Sequence, residues 1–332
     1  MQGPKTLQQA IEYFADYDNC RQFMILVRWA DRKVRCPYCG SENVTYLEKA
    51  RLYRCYGKHA KQKFSLKIGT VFEDSPIPLE KWLPATWLLA NCRNGISSYE
   101  IHRALGVTQK SAWFMMHRIR LAMQSKSFSK LGGVGGAEVE ADEAFIGGKP
   151  KNMHESRRKA LRELRESVLP GDMRFLTKTA VMGVLDRNQR KVRAKVVPAV
   201  NHHTLKTAVL DNVAEGSRVY TDEAMVYRGL PNTYIHKFVN HMEKYVDGRV
   251  HTNGLENFWA LLKRGLNGTY IAVEPYHLER YVDEQVFRYN NRKDEFGRKL
   301  EDSERFALVL SQIVGKRLTY QEVTGKVGET AF

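Results

Sequence analysis

Apolar residues at offsets of three and four mark one face of a helix. Leu7, Ala10, Ile11 and Phe14, then Phe23, Leu26, Val27 and Trp29, predict helices across residues 5–30, and Cys20 among them reads as a small buried hydrophobe. Residues 64–72 read as strands ending in a turn, after which Pro76 and Pro78 open a helical region. Within it, Ser97–Met123 has the pattern of a helix-turn-helix. Ile101, Leu105, Val107, Ala112 and Met115 are the packing positions and Gly106 falls where the turn needs a positive φ, although His102 takes a place usually held by a small residue. A plain helical hairpin with a solvated basic face fits the same pattern. Lys126–Gly136 is Gly-rich and predicts a linker and a domain boundary. Strands follow at Ala137–Asp142, Thr179–Asp186, Lys191–Val200 (turned back through Arg187–Arg190), Ser217–Asp222 and Tyr234–Val239, with helices at His202–Val213 and His277–Arg292. Lys151–Val168 is dense in charge and predicts a solvated helix or a mobile insertion near a phosphate backbone. Asp294 onward is mixed and charged. The helix that opens at His251–Arg264 has Leu255, Phe258, Trp259 and Leu262 on one face, with Thr252 or Asn253 placed to cap it.

Charge narrows the partners. The 332 residues carry 53 Lys+Arg against 37 Asp+Glu, a net +16, which points to a polyanion and most often to nucleic acid. There is no isolated basic amphipathic helix or lipidation signal to favour a membrane surface. No apolar run reaches ~18 residues and Met1–Ala10 is no secretory leader, so a soluble, cytoplasmic protein with no membrane partner is expected, and the family resemblance given below adds the expectation of a bacterial, nucleoid-associated one. The order of elements predicts an α+β or α/β multidomain chain: N-terminal helices at 1–33, a zinc ribbon at 34–75, a helical DNA-binding region at 76–126, a mixed strand-and-helix domain at 137–293 and an extension at 294–332.

Three places carry candidate chemistry. Cys36-Pro-Tyr-Cys39-Gly40 presents two thiolates at the spacing of two tetrahedral zinc positions. Cys55 begins a second pair at the distance a ribbon needs, but position 58 is Lys, which leaves His59 as the nearest fourth ligand. A ribbon-like β-fold without metal is the alternative. In the helical region Lys110, Ser111, His117, Arg118 and Arg120 are candidates to face a duplex. The third place is a set of acids: Asp142 ends one strand, Asp222 another, and Glu256 lies on the helix after it. Carboxylates at neighbouring strand ends converge at one sheet edge, and hard oxygen ligands suit Mg²⁺ or Mn²⁺. Two such ions can serve an in-line displacement at phosphorus. Glu256 and Lys263 are two helical turns apart on one face, yet Asn253 and Glu256 also have the spacing of a capping box.

The segments Val139–Gly148 (VEADEAFIGG), Val219–Glu223 (VYTDE), His251–Arg264 (HTNGLENFWALLKR), Gly268–Tyr270 (GTY) and Arg288–Arg292 (RYNNR) resemble the DDE transposases of insertion-sequence family 1595, relatives of the Merlin transposons. The resemblance runs from the ribbon at Cys36 to about Arg292. It implies an RNase H-like catalytic domain behind a zinc ribbon, with Asp142, Asp222 and Glu256 as the metal-binding triad. Lys263 then matches a basic residue that touches a DNA phosphate, with Arg264 beside it. Some relatives carry Asn as third member, so Asn253 stands as rival or helper to Glu256. The chain departs from the family at Lys58. The implied reaction is hydrolysis at a transposon end to free a 3′-OH, then attack of that 3′-OH on target DNA. The partners are terminal inverted repeats and target DNA, in at least a dimer. Two other readings fit: a non-catalytic zinc-ribbon and helix-turn-helix regulator, and an RNase H-like nuclease or resolvase that cuts without joining.

Overall fold

The computed structural model describes residues 3–124, 129–133, 135, 137–147, 155–156, 159, 163, 178–222, 230–239 and 250–325. The chain divides into two compact units, Met1–Ser125 with Asn291–Phe332, and Lys126–Asn290. No helix among the described residues is long and apolar enough to cross a membrane.

In the first unit, α1 (Leu7–Phe14) starts at a capping box in which Thr6 and Gln9 satisfy each other's backbone N–H groups, and it buries Ala10 and Phe14. The second helix, α2 (Tyr17–Arg28), buries Cys20, Met24 and Ile25. Three short antiparallel strands follow, β1 (Val44–Leu47), β2 (Leu52–Cys55) and β3 (Lys63–Phe64), in that order across the sheet. Pro78 precedes α3 (Leu79–Asn91), which buries Trp82, Leu83, Trp87 and Leu89. The expected turn at Gly106 is present, at φ +59°, between α4 (Ser98–Leu105) and α5 (Gln109–Met123). The charged C-terminal stretch forms α9 (Asp302–Leu310) and α10 (Tyr320–Thr324). Its Phe306 lies 5.6 Å from the rings of Phe14 and Phe23 and 5.0 Å from Trp87, so the unit's aromatic core is drawn from both ends of the chain. Phe306, Val309 and Leu310 keep the three-and-four spacing of a buried face.

The second unit is built on five strands in the order β6-β5-β4-β7-β8. They are β4 (Glu138–Ile146), β5 (Thr179–Asp186), β6 (Lys191–Val197), β7 (Arg218–Asp222) and β8 (Ile235–Val239). The first, β4, runs antiparallel to β5 and parallel to β7, which is itself parallel to β8. One face packs on α6 (His202–Asn212), where Leu205 and Val209 meet Val139, Ala141 and Val219. The other packs on α7 (Asn253–Gly265) and α8 (Leu278–Asn290), where Leu255, Phe258, Trp259, Leu262 and Val282 meet Ala144, Val181 and Leu185.

One expectation changes. The end of the predicted Gly-rich linker is tied down: Leu131 is buried, its N–H reaches the Asn212 carbonyl at 2.7 Å, and its carbonyl accepts from Ala214 N–H at 2.8 Å. Gly132 sits at φ +80°, where an added Cβ would lie 2.3 Å from Ser217 Oγ. The charged stretch Lys151–Val168 lies almost wholly outside the described residues.

Candidate functional site

Strand alternation decides what β4 offers to each side. Its odd positions Val139 and Ala141 feed the core under α6. Its even positions face α7 and read Glu138, Glu140, Asp142, then Ala144. Three carboxylates in succession on a packed face each need a partner, because an uncompensated buried charge costs several kcal/mol.

Asp142 is the last of them and stands beside Asp222. The parallel ladder pairs Glu138 with Arg218, Val139 with Val219 and Glu140 with Tyr220, and two steps further in that register are Asp142 and Asp222. The Asp142 carboxyl is pushed up to about 6 by burial first, then by the Asp222 charge and, more weakly, by Glu256. The Trp259 indole and the Glu143 backbone N–H, both donating to it, pull the other way. Trp259 Nε1 donates to Asp142 Oδ2 at 2.9 Å. The ring reaches that position because residue 183, opposite Asp142 on β5, is Gly: a Cβ there would stand 2.7 and 2.8 Å from the indole carbons.

Glu256 lies in the first turn of α7, exposed, and its Oε1 accepts from Thr252 Oγ1 at 3.5 Å. The three acids therefore share one electrostatic field, but they are not drawn to the distances of a single ion's ligands. Among the described residues the one group of three or more candidate ligands lying within 4.8 Å of one another is in the ribbon. The donor set of Asp142, Asp222 and Glu256 still fits a hard divalent cation in kind, and the rise at Asp142 is what burial produces in a carboxyl that also has other carboxylates nearby.

The predicted capping box at Asn253 is not formed. Asn253 is exposed, and Thr252, at the cap position, makes no side-chain cap. A carboxylate 115 positions away does the work instead: Glu140 Oε2 accepts from Leu255 N–H at 2.9 Å. Arg187 Nε donates to Glu140 Oε1 at 2.6 Å. Its other nitrogens reach Glu138 Oε2 at 3.5 Å, His251 Nδ1 at 2.8 Å and the His251 carbonyl at 2.5 Å. Burial, then the Arg187 charge, holds His251 below the usual imidazole range. His251 is thus a neutral acceptor, and its 3.7 Å approach to Glu140 is not an ion pair. Tyr220 OH donates to Glu138 at 3.1 Å. Lys263 and Arg264 are exposed in the last turn of α7. Sequence reasoning missed Glu140, Arg187, Gly183 and Gly254; the one signal for them was the run of alternate acids on β4.

The ribbon cluster is closed. Cys36, Cys39, Cys55 and His59 bring four candidate ligand atoms within 4.8 Å of one another, with Cys36 Sγ 3.4 Å from His59 Nε2 and Cys39 Sγ 3.6 Å from Cys55 Sγ. Lys58, where a fourth Cys was missing, points into solvent. Gly57 is required beside the sulfurs, since a Cβ there would lie 2.9 Å from Cys39 Sγ and 3.3 Å from Cys55 Sγ. Burial raises Cys36, but N–H groups of Tyr38 and Cys39 outweigh it and hold its thiol below the ordinary value. A Cys₃His set at this spacing is what tetrahedral zinc takes.

The helical region needs one correction. Arg118 is 4% exposed and donates to the Glu73 carbonyl at 2.7 Å and the Leu318 carbonyl at 3.0 Å, so it braces the first unit and cannot face a duplex. His117 and Arg120 are buried as well, because α5 is surrounded along most of its length. The helix keeps only its first turn in solvent. Lys110 is exposed there, 4.7 Å from the Tyr320 ring, and half-buried Ser111 accepts from Thr108 Oγ1 at 2.9 Å.

A mixed sheet with its second strand antiparallel to the rest, acids on two adjacent strands and a third acid on the helix across them define an RNase H-like domain of the DDE class. Residues 130–290 match the family model described as the ISXO2-like transposase domain, and residues 16–57 match the transposase zinc-ribbon domain, both of insertion-sequence family 1595. The chain belongs to that family of transposases. It is 24% identical over 260 residues to an uncharacterized protein in transposable element ISH50 of Halobacterium salinarum (strain NRC-1), a match covering 76% of this chain and 84% of the relative. Among solved structures, the simian T-cell lymphotropic virus intasome in complex with PP2A regulatory subunit B56 gamma matches 68% of this chain and 74% of its own at 12% identity and TM-score 0.30.

Proposed function

We propose that this transposase cleaves DNA at the ends of its own element and joins the freed ends to a target, with Asp142, Asp222 and Glu256 as its metal-binding acids. The observation that carries the reading is the rise of Asp142 to about 6, which burial and the charges of the other two acids produce together. Asp142, Asp222 and Glu256 would hold Mg²⁺ or Mn²⁺, two ions in all, and bound cations there activate the attacking oxygen and stabilise the leaving one. Trp259 fixes the Asp142 carboxylate by occupying Oδ2. In the first step water attacks a phosphodiester, the P–O3′ bond breaks, and the 3′ oxygen leaves as a hydroxyl, with a 5′-phosphate on the other strand end. In the second the 3′-OH attacks a target phosphodiester and displaces its 3′ oxygen, with no covalent protein intermediate. Exposed Lys263 and Arg264 would hold a backbone phosphate, and Asn253, exposed in the same first turn as Glu256, would contact the scissile strand.

Cys36, Cys39, Cys55 and His59 would bind zinc as a structural ion. The ribbon, with Lys110 and Ser111 at the start of α5, would bind the terminal inverted repeats, and two ends call for at least a dimer. The test is a cleavage and joining assay on DNA carrying the element's ends. Each of Asp142→Asn, Asp222→Asn and Glu256→Gln is expected to lose roughly three orders of magnitude or more in both steps. Full activity in any one variant removes that residue from the triad. Cleavage without joined product would favour a nuclease or resolvase.

A further inference from the structure

We infer that Glu140 is a positioning residue: its carboxylate, held by Arg187 and seated against Gly254, ties the start of α7 to β4 and so sets where Glu256 stands relative to Asp142. This rests on the reading of Asp142, Asp222 and Glu256 as one site.

The first N–H groups of a helix have no partner within it. At α7 the usual local solution is absent, since Thr252 makes no cap bond. Glu140 supplies the acceptor through Leu255 N–H, the residue just before Glu256. Glu140 is also two positions before Asp142 on the same face of β4, about 7 Å along the strand. One charge-assisted hydrogen bond therefore joins the backbone of one acid's turn to the strand of another, and the helix dipole favours a carboxylate at that end.

Three further features belong to this arrangement. Glu140 is 1% exposed and already engaged by Arg187 at 2.6 Å and Leu255 N–H at 2.9 Å, so it is committed to the clamp and is no fourth ligand. Arg187 also holds the His251 carbonyl at 2.5 Å, which fixes the approach to the helix from the other side. Gly254 leaves room for this carboxylate: a Cβ there would stand 2.8 Å from Glu140 Oε2 and 3.1 Å from Oε1, so the carboxylate would have to shift on the helix end. Strand, guanidinium and glycine together fix an exposed acid that has little packing of its own.

The experiment compares E140A, E140Q, G254A and E256Q in the full chain. It measures Mn²⁺ binding by electron paramagnetic resonance, amide exchange over residues 252–258, and thermal unfolding. E140A and G254A are expected to raise the half-saturating Mn²⁺ concentration about tenfold to a hundredfold, with faster exchange at Leu255. E140Q, which keeps an acceptor oxygen, should recover most of both. G254A leaves every charge in place, so it decides the matter if E140A does not fold. If E256Q binds Mn²⁺ like the wild type, the site reading fails and the positioning role falls with it. If E256Q loses binding while folded E140A and G254A bind as the wild type does, the positioning role alone is overturned.

Discussion

Two clusters of metal-ligand type stand among the described residues, assembled in opposite ways. In the ribbon, three sulfurs and an imidazole come from residues 36–59, and local turns bring them within 4.8 Å of one another. In the second unit, three carboxylates come from two strands and a helix spread over residues 142–256, and they stay farther apart than one ion's ligands. Cysteine sulfurs and an imidazole can crowd together with less repulsion than a set of carboxylates. Carboxylates cannot, so their placement has to be imposed by neighbours such as Trp259 and Glu140. A closed set of ligands suits a structural ion, and an open, self-repelling set suits ions that must admit phosphate and water.

The largest break in this comparison is Cys39→Ala or Cys55→Ala. Either should release the zinc and unfold the ribbon, since structural zinc supplies about 10 kcal/mol or more of folding free energy. Zinc content with circular dichroism checks it, and thermal unfolding of the second unit should scarcely move.

Next comes Asp142→Asn, which probes the strain of the acid cluster without added metal. A carboxyl at about 6 in the folded chain, against about 3.9 when unfolded, keeps its proton longer in the folded state. Stability then falls as pH rises from about 4 to 6 and stays low above it, by a few kcal/mol at most. Asp142→Asn should remove that fall and raise Tm at pH 7, while abolishing cleavage. Divalent metal added to the wild type should offset the same fall.

Gly183→Ala tests the indole's seat. A methyl 2.7 Å from Trp259 must displace the ring, at about 1–3 kcal/mol. Asp142 then loses its donor and rises further, so the acid limb of the activity profile should move to higher pH. An unchanged limb would mean the indole bond does not tune Asp142.

The smallest effect separates two basic residues on α5. Lys110→Ala should weaken DNA binding and lower the slope of log affinity against log salt by about 0.9. Arg118→Ala should leave that slope alone and lower Tm instead, because its buried carbonyl partners lose their donor.

What the sequence made legible follows the range of the interactions. Cys36, Cys39 and Cys55 announced themselves through local spacing, and His59 needed only the turn at Gly57 to enter the cluster. The sheet's strands were readable from apolar runs, with β4 extending past its predicted end at Asp142 to Ile146. Glu140 and Trp259 were not readable as a pair of clamps, because their partners lie 115 and 117 positions away. Arg118 was misassigned for a related reason. Periodicity locates a charge on a helix face, but the face of α5 that carries it is covered by Glu73 and Leu318, which come from other parts of the chain. The same distance hid Phe306, whose helix looks merely charged until it meets Phe14, Phe23 and Trp87.

The indole bond to Asp142 also makes the second unit optically simple. Of the five tryptophans, Trp29, Trp82, Trp87 and Trp113 belong to the first unit and Trp259 alone to the second. Its fluorescence therefore originates one hydrogen bond from the Asp142 carboxylate. A difference spectrum between the wild type and Trp259→Phe isolates that emission. Titrating it with acid or with Mn²⁺ follows the state of a single carboxylate inside a 332-residue chain without any label.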